Sequence, residues 1–338
     1  MKTAIIGAGR MGQRHLSVAS NLGLELAGMA DRLPEALALA AEHHGLDSAM
    51  LYNSVEQMLA DAQPDCVVVA TTAPSHASYT CMAAERGVKF ILCEKPMAVS
   101  LAECDRMIST CQANGSLLAI NHQMRFMEQY TVPKSLLADE SFGGLASVTV
   151  VAGNFGLAMN GTHYFEMFRY LTDQAPAAVT AWLDSDSVPN PRGAQFEDRS
   201  GGIRVTNGRG QRLYMDVGAD QGHGVKVIYG GRYGQIVVDE LAGTMTLSCR
   251  ESEHRALPTT RYGMPWHEEV RHIAPAELIA PTQEVLSALL DGKGYPSGED
   301  GRSAVATLVA AYVSDEEGHR TVRLAEDTLP RDRVFPWA

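Results

Sequence analysis

The sequence predicts a doubly wound α/β parallel sheet, followed by a second α+β half built on a largely antiparallel open sheet. Three observations carry that expectation: a glycine-punctuated strand–turn–helix at the start, an alternation of apolar runs and helical stretches to about residue 122, and consecutive short strands beyond it. Strands alternating with helices build a parallel sheet covered on both faces, whereas strands joined by turn signals build an antiparallel one. The boundary is set at 1–122 and 123–338, with helices around 281–314 free to pack back on the first domain. A chain of 338 residues accommodates two domains of roughly 100–200 residues each.

The apolar run Ala4–Ile6 enters Gly7-Ala8-Gly9-Arg10-Met11-Gly12, and a helix-competent stretch follows from Arg14 to Ala19. In G-x-G-x-x-G the first glycine permits the turn, the second lets the backbone approach a pyrophosphate, and the third lets helix and strand pack closely. The helix N-terminus then offers unpaired N–H groups and a positive dipole end to phosphate. The next strand, Leu24–Ala30, ends in Asp31, where an acid about 20 positions beyond the glycines can bond the adenosine ribose. Asp31 favours NAD, because a carboxylate repels a 2′-phosphate. Arg32 beside it leaves NADP open, since an arginine there can accept that phosphate or stack on adenine. Read without the glycines, Asp31 to Pro34 is a solvated turn with proline at the first helical position.

The predicted elements continue with a helix over Pro34–His43 and another over Ser54–Ala60, where Ser54 and Gln57 form a capping box. Cys66–Ala70 is a continuous apolar run, as a central parallel strand requires. A helix from His76 to Arg86, a strand Val88–Cys93, a helix Leu101–Asn114 and a strand Leu117–Ile120 complete the first half. Six strands are then expected in succession: Leu145–Val151, Gly202–Thr206, Arg212–Val217, Val225–Tyr229, Gln235–Val238 and Thr244–Leu247. Turn signals such as Asn207-Gly208 and Gly230-Gly231 separate them. One face of this sheet is expected against a helix around His163–Leu171 and the other at an oligomer interface. Helices return at Pro281–Leu290 and Arg302–Ser314.

Composition narrows the function. Hydrophobic residues make up 45% of the chain and charged residues 20%, with a net charge of −12. That acidic balance argues against nucleic acid or an anionic membrane as partner, and a neutral small molecule fits it better. The six cysteines show no C-x-x-C, so they read as reduced thiols of a cytoplasmic protein, with no metal site. The opening segment serves as a strand and not as a signal peptide, and no apolar run approaches the roughly 18 residues of a membrane span.

In an open parallel sheet, ligands bind beyond the carboxyl ends of the strands. Three loops meet that condition: the glycine turn, Thr71-Thr72-Ala73-Pro74-Ser75-His76, and Glu94-Lys95-Pro96. A lysine at the mouth of a cofactor cleft can have its pKa lowered and act in proton transfer, with Glu94 as a neighbouring negative charge.

With these loops, Gly161-Thr-His163-Tyr-Phe-Glu166 and Ser297-Gly-Glu-Asp-Gly-Arg302, the sequence resembles the Gfo/Idh/MocA oxidoreductases, relatives of glucose–fructose oxidoreductase and inositol dehydrogenase. The resemblance covers essentially the whole chain. It implies a Rossmann domain that binds NAD, or NADP, through Gly7, Gly9, Arg10, Met11, Gly12, Asp31, Arg32, Thr71, Thr72, Pro74, His76, Glu94, Lys95 and Pro96. It further implies that Lys95 lies near the reacting carbon and that His163 takes the substrate hydroxyl proton as hydride leaves. Asn121, His122, Arg125, Asn154 (with Phe155), Asn160, Lys95 and His163 are the expected substrate-binding residues. The sequence departs from the family pattern at Met159, where an Asp is common, and at Glu166, another common Asp position. Arg169 reads equally well as an ion-pair partner of Glu166.

The expected activity is therefore hydride transfer between NAD(P) and a secondary hydroxyl or carbonyl of a sugar, polyol or related compound. A redox-neutral sugar-processing enzyme with retained NAD is the alternative, and a non-catalytic NAD(H)- or sugar-binding regulator the third reading. A homodimer or homotetramer is expected by analogy of fold alone. His43-His44 reads as an exposed helix end, the Tyr262–Trp266 aromatics as packing, and His15 as a packing residue of the first helix.

Overall fold

The computed structural model describes residues 1–185, 188–258, 265–325 and 329–338. Its first elements follow the hydrophobic pattern: β1 (Lys2–Ile6), α1 (Arg10–Asn21), β2 (Glu25–Ala30), α2 (Pro34–His44), β3 (Leu51–Tyr52), α3 (Val55–Ala62), β4 (Cys66–Val69), α4 (His76–Glu85), β5 (Phe90–Cys93), α5 (Leu101–Ala113) and β6 (Leu117–Ile120). These strands form one parallel sheet in the order β3-β2-β1-β4-β5-β6. The order reverses between β1 and β4, which makes that the switch point where ligands bind such sheets. All four residues of β4 are inaccessible to solvent, which is why the run is apolar without alternation. Pro34 opens α2, and His43 and His44 sit exposed in its last turn. Half of the expected capping box forms at α3. The Ser54 hydroxyl accepts the Gln57 backbone N–H at 3.2 Å, but the Gln57 side chain turns to Asp61 instead of reaching back.

The chain continues with α6 (Glu128–Leu137), β7 (Leu145–Gly153), α7 (Thr162–Thr172), β8 (Pro176–Leu183), β9 (Gly201–Asn207), β10 (Arg212–Gly218), β11 (Lys226–Gly231), β12 (Gly234–Asp239), β13 (Thr244–Arg250) and β14 (Trp266–His272). α8 (Ile279–Leu290), α9 (Gly298–Glu316) and β15 (Val322–Arg323) follow. Among the described residues the second sheet has nine strands in the order β14-β13-β12-β11-β7-β10-β9-β8-β15, and their one parallel pairing joins β10 to β7. Alternation gives it a buried face, with Val148, Val150, Leu213, Val227 and Val238 all inaccessible. Helices α6 and α7 lie on that face, where the Tyr229 hydroxyl reaches the Gln129 carbonyl at 3.1 Å and the Met167 sulfur at 3.5 Å.

Five elements lie beyond the sequence expectations: the two-residue strands β3 and β15, and α6, β8 and β14. α6 was hidden by an internal proline, Pro133, β8 opens on proline and two alanines, and β14 is a charge-rich edge strand. Trp266, read as a packing aromatic, begins that edge strand at 64% exposure, and Tyr262 lies outside the described residues.

The chain divides into two compact units. Residues 1–123, 277–305 and 330–338 make the first, and 124–276 and 306–329 make the second. In the first unit α8 packs on α1, β5 and β6. The start of α9 also lies against β6, because a Cβ on Gly301 would come within 2.5 Å of Ile120. Ser297 and Asp300 cap that start reciprocally, and Arg302 pairs with Asp105. Among the described residues no helix is long and apolar enough to cross a membrane.

Candidate cofactor and catalytic site

The glycine turn is shaped by contacts that only glycine allows. Gly7 has φ +105°, and a Cβ there would lie 2.6 Å from the Ala70 carbonyl oxygen. A Cβ on Gly12 would lie 1.8 Å from the Gly7 carbonyl oxygen, so α1 can approach β1 only without one. Gly9 differs, since a Cβ there would meet nothing within 4 Å and its φ of −70° suits any residue. Among the described residues, then, no packing contact demands glycine at position 9. No side chain caps the N-terminus of α1, so its first-turn N–H groups remain available to phosphate. These features fit a dinucleotide pyrophosphate. The Asp31 carboxylate, at the carboxyl end of β2, accepts the Ala8 N–H at 2.7 Å and the Leu33 N–H at 2.9 Å. Each oxygen keeps a lone pair for a ribose hydroxyl. Arg10 and Arg32 are exposed and Met11 half-buried.

The second loop, after β4, has Thr72 and Pro74 exposed and Thr71 half-buried. His76 is 1% exposed and turns both ring nitrogens to backbone, Nδ1 to the Pro96 carbonyl at 2.9 Å and Nε2 to the Thr71 carbonyl at 3.1 Å. It therefore ties the second loop to the third, which carries a cis Lys95–Pro96 bond. In the third loop Lys95 is half-buried, whereas Glu94 beside it is 5% exposed. Glu94 Oε1 takes the Nε2–H of His15 and the Nδ2–H of Asn121, each at 2.8 Å. Burial pushes the Glu94 carboxyl up, but the His15 hydrogen bond and charge, the Lys95 charge and the Asn121 amide outweigh it and bring it down to about 2. Asn121 and His122, at the end of β6, are both buried.

In the second unit His163 lies in the first turn of α7 at 3% exposure. A widened π-type turn, Leu157–Gly161, leads into that helix, an irregularity frequent at functional sites. Asp198, from the segment before β9, accepts the N–H groups of Ala158 at 2.7 Å and Met159 at 2.8 Å. Asn154 accepts the Gly156 N–H at 2.9 Å, and Asn160 donates to the Phe155 carbonyl at 2.7 Å. Both amides thus shape this turn. One face of α7 carries Glu166, which pairs with Arg125 and, at 3.6 Å, with Arg169. Arg125, expected to bind substrate, also lies 5.0 Å from the centre of the Tyr170 ring, so it has a structural tie of its own.

The family model described as an oxidoreductase family with an NAD-binding Rossmann fold, Gfo/Idh/MocA, matches residues 1–122. The D-apiose dehydrogenase of Paraburkholderia graminis is 27% identical over 96% of this chain and 89% of its own length. Residues 1–122 thus match the NAD-binding Rossmann domain of the Gfo/Idh/MocA oxidoreductases. Another relative, the 1,5-anhydro-D-fructose reductase of Ensifer adhaerens, is 25% identical over 88% of this chain and 90% of its own. An oxidoreductase from Agrobacterium radiobacter, solved with NAD+, L-tartaric acid and magnesium, shares the fold with a TM-score of 0.79. It covers 96% of this chain and 98% of its own at 22% identity.

Three groups of this fold are not legible in the sequence. His15 reads in sequence as an ordinary helix residue, yet it holds Glu94. Asp198 has no local signal, since its partners lie about 40 positions away. Glu240, just after β12, is 6% exposed and accepts hydroxyl hydrogens from Tyr130 and, at 3.0 Å, Tyr164. Burial pushes the Glu240 carboxyl above its ordinary range, against the pull of those two hydroxyls.

Proposed function

We propose that the protein is an NAD-dependent oxidoreductase that moves a hydride between the cofactor and a secondary hydroxyl or carbonyl of a sugar, polyol or related compound. The observation that carries this is the first unit's sheet edge: an open glycine cradle, Asp31 and the lysine of the third loop all follow strands beside the switch point. Gly9 and the uncapped N-terminus of α1 would receive the pyrophosphate, and Asp31 the ribose hydroxyls, which favours NAD over NADP. Bound nicotinamide supplies the hydride acceptor or donor. The protein's part is proton handling. Oxidising an alcohol releases one proton; Lys95, in the first unit, is proposed to polarise the reacting oxygen, and His163, in the second, is proposed as a proton acceptor. Histidine suits the task because it titrates near neutral pH.

The relatives named for D-apiose and 1,5-anhydro-D-fructose support a carbohydrate substrate. The test is nicotinamide absorbance with NAD and NADP in parallel, across sugars, polyols and lactones that include apiose and anhydrofructose. A reduced-cofactor signal with one member, lost in Lys95→Ala, supports the reading. A Lys95→Ala variant with wild-type turnover would refute the lysine's role. The redox-neutral alternative draws on Met159, where a carboxylate is common in the family, and predicts cofactor that co-purifies with sugar consumption but no net NADH.

The second sheet's outward row, Thr180, Arg204, Tyr214, Thr149, Ile228, Val237, Thr246 and Val270, runs in register across eight strands. It is proposed as the contact between copies in a homodimer or homotetramer, to be checked by sedimentation of wild type against Tyr214→Asp. The six cysteines are unpaired and five of them are buried, which suits the reducing cytoplasm.

A further inference from the structure

The carboxylate of Glu94 joins three elements of the first unit. His15 comes from α1, three residues beyond Gly12 on the helix whose N-terminus is proposed to receive pyrophosphate. Asn121 comes from the end of β6, and Glu94 itself precedes Lys95 at the end of β5. His15 and Asn121 have no solvent exposure and Glu94 is 5% exposed, so the shared oxygen is held in a buried contact. The other oxygen, Oε2, accepts the Lys95 backbone N–H at 3.3 Å.

The identity of residue 15 is informative. Its Nδ1 is buried and finds no hydrogen-bond partner among the described residues, whereas its Nε2 is spent on Glu94. A buried polar atom left unbonded costs free energy that an apolar side chain would not incur. The imidazole therefore serves something other than packing, and its single bond says what that is.

We propose that His15 is a positioning residue for Lys95: from the cofactor-binding helix it fixes Glu94, and through Glu94 the loop that presents the lysine. This rests on the reading of Lys95 above and deepens it. Cofactor docking at the start of α1 and placement of the lysine are then set through one buried carboxylate. His15 is wholly buried, and Glu94, expected to bind cofactor, is 5% exposed with its oxygens taken by protein N–H groups, so their effect falls on turnover more than on nucleotide affinity.

The experiment uses the full chain and three variants, His15→Ala, His15→Gln and Lys95→Ala. Three readouts are followed: NADH binding by fluorescence, turnover with the panel substrate that wild type uses, and the proton spectrum of the imidazole N–H. A hydrogen held between Nε2 and a buried carboxylate gives a far-downfield resonance, which should be present in wild type and Lys95→Ala and absent in both His15 variants. It should shift on addition of NADH with the same midpoint as the fluorescence titration. His15→Ala should lose at least tenfold in kcat with NADH affinity within threefold of wild type. His15→Gln, whose amide can donate to the same oxygen, should recover most of that loss. Wild-type kcat in His15→Ala beside an inactive Lys95→Ala would overturn the inference while leaving the lysine's role intact. Equal losses in Ala and Gln variants would also overturn it, since bare packing would then explain the residue. Wild-type turnover in Lys95→Ala would remove the reading on which the inference stands, and the two failures are thereby told apart.

Discussion

Replacing Gly9 with alanine separates the fold's requirements from the cofactor's. The residue sits at φ −70° and ψ −171°, open to any L-amino acid, and the added methyl would meet no protein atom within 4 Å. Folding should be nearly indifferent. Alanine restricts the unfolded chain and gains about 0.4–1 kcal/mol, while as a helix N-cap it loses a comparable amount, roughly 0.5–1.5 kcal/mol, relative to glycine. The melting temperature should therefore move by only a few degrees. Affinity should behave otherwise, because the methyl occupies the space through which the pyrophosphate approaches the backbone. A weakening of at least tenfold, about 1.4 kcal/mol, is expected. The assay is a fluorescence titration with NADH beside a thermal melt. Gly12→Ala is the control in which fold and binding fail together, since its Cβ would lie 1.8 Å from the Gly7 oxygen. A Gly9→Ala protein that binds NADH like wild type would refute the assignment of this turn as the phosphate cradle.

Three further outcomes follow from the electrostatics. Glu94, with its folded pKa down at about 2 against 4.5, contributes of order 3 kcal/mol of stability above the unfolded value, lost as pH falls from about 4.5 toward 2. The urea midpoints of wild type and Glu94→Gln should converge on acidification, and a gap constant with pH would contradict this. Glu240 shifts the other way, so its favourable contribution is present below the ordinary carboxylate range and is lost as pH rises through the elevated value. Glu240→Gln should gain on wild type in melting temperature between pH 4 and 8, whereas Glu240→Leu should lose about 1–3 kcal/mol for each stranded tyrosine hydroxyl. Asp31→Ser should keep the turn but remove the charge that repels a 2′-phosphate. The ratio of NADP to NAD affinity should rise at least tenfold, and an unchanged ratio would show that Asp31 does not select the cofactor.

The parts of the site that could be read from sequence are those where backbone geometry dictates residue type. Gly7 needs a positive φ and Gly12 a missing Cβ, so both leave a mark in the letters themselves. Asp31 is legible because a fixed fold puts it a fixed number of residues downstream. His15 is not, because a helical histidine facing the core looks the same whether or not a carboxylate waits there. Glu240 and Asp198 are invisible for a related reason: the tyrosines and amides they serve lie on other elements, and local sequence carries no record of tertiary pairing. In the fold, β4 announced itself by four consecutive buried apolar residues, whereas Pro133 disguised α6. Gln57 shows the limit of a motif, since Asp61 one turn on won its side chain.

The first unit is assembled from three separate stretches of chain, with residues 124–276 inserted before α8 arrives. A ribosome adding 5–20 residues per second would release β6 roughly 8–30 s, and α1 roughly 13–50 s, before the helix that packs on them. Apolar surface on the half-built sheet must wait that long, and longer still for Phe335 and Trp337, which are nearly or wholly buried in the finished unit. During synthesis this enzyme depends on residues 330–338 to complete a compartment that residues 1–123 begin.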